Sequence, residues 1–125
     1  MKKINILLAL TLIVLSSCYY DSEEALYPGN NGNTCDTTDV TFSGTIQPIL
    51  QSNCNSCHMS SIASGNVITD NYDDLIPVVQ SGIFWKAVNH ESGASPMPQD
   101  QLPNKLPQCE LDKIHAWINK GAPNN

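Results

Sequence analysis

Two cysteines separated by two residues, with a histidine directly after the second, constrain this chain more than any other feature: Cys54-Asn55-Ser56-Cys57-His58. A domain that carries them must arrange its other elements around three reactive side chains held within five positions. It has little chain to do so, because 125 residues are room for one small domain. Apolar residues make up 41%, enough for an ordinary core, but only 14% are charged, so solubility leans on Asn, Ser, Thr and Gln. All six basic residues are lysines, against twelve acids, and this balance argues against a nucleic-acid partner.

The Cys-x-x-Cys-His spacing fits covalent attachment of one haem c. Cys54 and Cys57 can each add to one of the two vinyl groups on a single porphyrin edge, and His58 can turn its imidazole under the iron as the proximal ligand. Covalent anchorage suits a domain too small to bury a haem deeply. Other readings use the same residues. A thioredoxin-type redox pair wants a preceding strand and a βαβ setting, whereas a short Pro48-containing helix leads into Cys54. A zinc-binding structural lipoprotein would need a fourth ligand and usually a second close pair, which His90, Cys109 and His115 do not make. A Cys54–Cys57 disulfide would leave His58 without a role.

Residues 1–17 read as a secretory signal: Lys2 and Lys3, a mostly apolar run from Ile4 to Leu15 too short to span a bilayer comfortably, then Ser16 and Ser17. Leu15-Ser16-Ser17-Cys18 resembles the bacterial lipobox, which implies lipidation of Cys18 and a membrane anchor. Asp21-Ser22-Glu23-Glu24 resembles the acidic export tag of some surface lipoproteins. The cysteines are then accounted for, with Cys18 on lipid, Cys54 and Cys57 on haem, and Cys35 and Cys109 left to form a disulfide in an oxidising compartment. Without residues 1–17 the chain keeps four lysines against twelve acids, a formal charge of −8, so a docking redox partner should present a basic face.

Residues 18–34 are polar and turn-rich, with Pro28-Gly29-Asn30-Asn31-Gly32, and read as a tether. A flexible stretch of about 16 residues reaches roughly 20 to 24 Å. Residues 35–125 form the domain. Ile46, Ile49 and Leu50 share a face at helical spacing, with Pro48 tolerable in a first turn. Residues 60–71 read as loop. Short helices follow around Tyr72 to Gln80 and Ile83 to Asn89, parted near Ser81-Gly82. Pro96, Pro98, Pro103 and Pro107 make 92–108 an extended loop. Leu111, Ile114, Trp117 and Ile118 line one face of a terminal helix from Glu110 to Lys120, with Gly121 suited to its C′ position. No strand is convincing, so the fold class is all-α with long loops.

Met97 is the favoured sixth ligand. It lies 39 residues after His58, between Pro96 and Pro98, whose rigidity lowers the entropy cost of holding one side chain against iron. His90 is the competing ligand, and bis-His coordination would lower the potential. Met59 adjoins His58 too closely to reach the other haem face, and His115 reads as a helix-surface residue.

The stretch Ile46 to His58, the Pro96-Met97-Pro98 segment and Glu110 to Ala122 together resemble a bacterial monohaem cytochrome c domain. The resemblance implies a few helices wrapped around one haem, first and last helices crossing near the attachment site, and electron transfer rather than catalysis. In it Phe42, Phe84, Trp85 and Trp117 would wall the haem from water. The acidic surface departs from the lysine-ringed haem edge of mitochondrial cytochrome c. A haem-based peroxidase or a gas or redox sensor would instead require an open iron position.

Overall fold

Pro48 stands in the first turn of helix α1 (Gln47–Asn53), where a missing N–H and a fixed φ cost nothing. So it is in a computed structural model, which describes residues 35–125. The helical path begins before α1, in a wider π-type turn over Phe42–Ile46. The amide of Ile46 donates to the Thr41 carbonyl at 3.1 Å, and the Thr41 hydroxyl accepts from the Gly44 amide at 3.1 Å. The wide turn carries both Phe42 and Ile46 into the core. Cys54 then breaks the helix at φ −124°, and a single turn, α2 (Asn55–His58), follows.

Asn71 caps α3 (Tyr72–Gln80) by accepting from the Asp74 amide at 3.0 Å, with Asp73 and Asp74 in the first turn where the helix dipole favours them. Gly82, at φ 77°, supplies the left-handed turn that parts α3 from α4 (Ile83–Val88). Leu75 and Val79 of α3, and Phe84 and Val88 of α4, recur every four residues and are buried. The last helix, α5 (Gln108–Asn119), buries Leu111, Ile114 and Trp117. It closes with a Schellman pattern in which Gly121 N donates to Ile118 O at 2.9 Å and Ala122 N to Trp117 O at 3.0 Å.

The core gathers where the start of the domain meets the C-terminal residues. Trp117, fully buried, lies 5.7 Å between ring centres from Phe42, which meets Tyr72 edge-on at 5.1 Å. Trp117 donates through Nε1 to the Pro123 carbonyl at 2.9 Å, and Tyr72 through its hydroxyl to the Ala122 carbonyl at 2.8 Å. The amides of Phe42 and Ser43 donate to Asn125, at 2.8 Å to its side chain and 2.9 Å to its backbone. A disulfide joins Cys35 to Cys109, tying the start of the domain to the start of α5.

The helices fall where hydrophobic spacing puts them, and no strand occurs among the described residues. Two loops carry more order than their composition suggests. Ser60 donates through both its amide and its hydroxyl to Asp70 at 2.9 Å, holding that carboxylate below its ordinary pKa and closing the 60–70 segment, which contains a 3₁₀ turn at Ser64–Asn66. The proline-rich stretch, expected to be wholly extended, holds another 3₁₀ turn at Gln99–Gln101, and α5 begins two residues earlier than expected. Three residues suffice for such a turn, and the flanking prolines stay outside it. The signal, Cys18 and the tether of 18–34 lie outside the described residues.

Candidate functional site

A cleft of about 520 Å³ opens beside α2, within the size range of cofactor sites. Three stretches of chain line it. The first is the motif itself, with Cys54, Ser56, Cys57 and His58, backed by Val67 and Thr69. The second is the α3–α4 pair, which contributes Val78, Ile83, Phe84, Ala87 and Val88. The third is the proline-rich loop, with Met97, Pro98, Asp100 and, farther on, Leu106. The exposed surface of the cleft is mostly apolar, although Asn53, Ser64, Ser95 and Gln99 also border it. Cys54, Cys57, His58 and Met97, spread over 44 positions of sequence, therefore line one cavity.

Local structure sets the character of each group. The carbonyl of Cys54 accepts from the amides of Cys57 at 3.1 Å and His58 at 2.9 Å, so one tight turn fixes all three motif side chains. His58 approaches the Val67 carbonyl through Nδ1 at 3.3 Å. A carbonyl only accepts, so this contact fits the tautomer with its proton on Nδ1, in which the Nε2 lone pair is available as a ligand atom. The buried Thr69 secures the same turn: its amide donates to the His58 carbonyl at 2.7 Å and its hydroxyl to the Asn55 side chain at 2.8 Å. Burial pushes the Cys54 thiol up to about 11, with Glu110 and Asp100 adding to the shift, so at neutral pH that sulfur is uncharged. Asn53 links the neighbourhood by donating to Glu110 of α5 at 3.1 Å and accepting from Gln101 at 3.3 Å.

These groups do not form a closed ion cage. Among the described residues, no three His, Cys, Asp or Glu side chains converge as a metal cluster would require. Cys54, half-buried, and Cys57, exposed, are the free thiols of that region. Two thiols and an imidazole beside a largely apolar cleft are groups that could hold a covalently anchored, metal-bearing cofactor.

Several residues stand elsewhere than the sequence suggested. Of the four aromatic residues expected to wall the site, Phe84 lines the cleft, whereas Phe42 and Trp117 pack in the core beside the C-terminal residues. Trp85 is half-buried and stacks on His115 at 4.6 Å. Aliphatic side chains take the places of these three, Val67, Val78 and Leu106 among them. His90 does not line the cleft; its Nε2 meets the Met97 carbonyl at 3.0 Å. Met59 is exposed at the surface. Val67 contributes a backbone atom, which no side-chain pattern could have signalled. No family model, curated protein or solved structure matches this chain.

Proposed function

We propose that residues 35–125 are a cytochrome c-like domain that holds one covalent haem c and passes single electrons. One observation carries the reading: Cys54, Cys57, His58 and Met97 line a single apolar cleft, in which the Val67 carbonyl beside Nδ1 would leave His58 Nε2 free to ligate. Cys54 and Cys57 would anchor the group by adding their S–H bonds across its two vinyl groups, converting both thiols to uncharged thioethers. That outcome suits Cys54, whose surroundings disfavour a thiolate. His58 would serve as proximal ligand and Met97 as sixth ligand, a pairing that raises the reduction potential. The haem would supply reversible one-electron exchange. Val67, Val78, Phe84 and Leu106 would keep water from it and so help to set its potential.

With Met97 filling the sixth position no site is left for a substrate, which favours a carrier over an enzyme. Export by residues 1–17, lipid on Cys18 and a tether over 18–34 would hold the domain at a membrane surface, in the periplasm or on the cell exterior. Its acidic balance would select redox partners with a basic docking face. The test is to express residues 18–125, with Cys18→Ser, in the periplasm of cells that mature c-type haem. The pyridine haemochrome of the denatured product should stay with the polypeptide through acid-solvent extraction. A colourless protein, or haem that extracts freely, contradicts the proposal.

A further inference from the structure

From the hydrogen bonding at the end of α4 we infer that His90 is a positioning residue that holds Met97 in the cleft. The inference rests on the reading of Met97 as the sixth ligand and adds how that ligand is kept in place. Helix α4 ends at Val88, Asn89 follows as its cap, and His90 takes φ 54°. That left-handed conformation is ordinarily filled by Gly or Asn, because a side chain there meets its own backbone. A histidine persists in such a place when its surroundings give something in return.

The return is visible. His90 Nε2 stands 3.0 Å from the Met97 carbonyl, and, since a carbonyl only accepts, the ring donates. The Met97 amide donates to the Ala87 carbonyl at 3.0 Å, and the His90 amide to the same carbonyl at 3.2 Å. Both main-chain polar groups of Met97 are thus secured to one turn of chain, and residues 91–96 form a closed loop between the two contacts. Pro96 and Pro98, on either side, have no N–H with which to build a substitute. Asn89 braces the base of the loop, donating to Glu91 at 2.7 Å and accepting from Lys105 at 3.2 Å. Without the His90 ring, one end of the Met97 peptide would be held by solvent alone, and the thioether would leave the iron more readily.

The test uses the haem-loaded protein with His90→Ala, His90→Gln and Met97→Ala. Two readouts report the sulfur–iron bond: the long-wavelength sulfur-to-iron absorption of the oxidised form, and the affinity for added imidazole, which competes with Met97. His90→Ala should raise imidazole affinity about 2- to 10-fold, the value of one hydrogen bond, and weaken the absorption. His90→Gln, which keeps an N–H donor, should restore most of both. Met97→Ala should abolish the absorption and bind imidazole tightest. Wild-type values in His90→Ala would overturn the inference, as would a Gln variant no better than Ala. A silent Met97→Ala beside a disrupted His90→Ala would make His90 itself the ligand and overturn it as well. A protein without haem overturns the functional reading beneath it, an outcome distinct from haem-loaded protein in which the His90 variants behave as wild type.

Discussion

The motif turn and the Met97 loop face the same cleft but are held by different means. Cys54 to His58 is a local object: one carbonyl receives two amides, and Thr69 and Val67 steady it from a segment about ten residues on. The Met97 loop has little helical structure and depends on an element before it in sequence, through Ala87 and His90. Under the proposed reading, the first would bind a cofactor much as a short peptide could. The second acts only when α4 is formed and packed. Possession of the haem should therefore depend on the motif, and its tuning on the loop.

Replacing both Cys54 and Cys57 by Ala is the most severe way to break this contrast. All covalent haem should be lost, whereas Met97→Ala should keep a full complement and lower the midpoint potential by about a tenth of a volt, a fraction of the roughly 0.8 V that axial ligands span. Redox titration beside haem quantitation reads both; loss of haem in Met97→Ala would erase the distinction. Trp117→Ala should act on neither segment specifically. Removing a fully buried indole should cost about 3 to 5 kcal/mol in denaturant unfolding, with the haem spectrum of the folded fraction unchanged.

Smaller effects sharpen the comparison. Opening the Cys35–Cys109 disulfide with paired Ala substitutions should cost about 2 to 4 kcal/mol of stability and leave the potential in place, since neither cysteine lines the cleft. A moved potential would show that α5, through Glu110 and Asn53, reaches the cleft electrically. Thr69→Val should cost about 1 kcal/mol, measured by the same unfolding assay, because it removes the hydroxyl's bond to Asn55 on the motif side. It should leave imidazole competition at Met97 unaltered.

What could be read beforehand follows the same division. The α5 face of Leu111, Ile114 and Trp117, its Gly121 terminus, and the break at Gly82 are local signals of period and conformation, and they are where spacing put them. The pairing of Cys35 with Cys109 followed from counting cysteines. The partners of aromatic rings were not legible: Phe42 and Trp117 turn to each other and to the chain end because the wide turn before α1 swings Phe42 inward. Histidine chemistry alone made His90 a candidate ligand. Its left-handed backbone and its bond to a main-chain carbonyl are tertiary facts that leave no mark on composition.

The central claim is that Cys54 and Cys57 carry one haem. Digesting protein from haem-maturing cells and weighing the peptide that spans Cys54 to His58 tests it most directly. The account predicts a mass increased by one intact haem, with neither cysteine open to alkylation. A peptide of unmodified mass that alkylates at both thiols would contradict it.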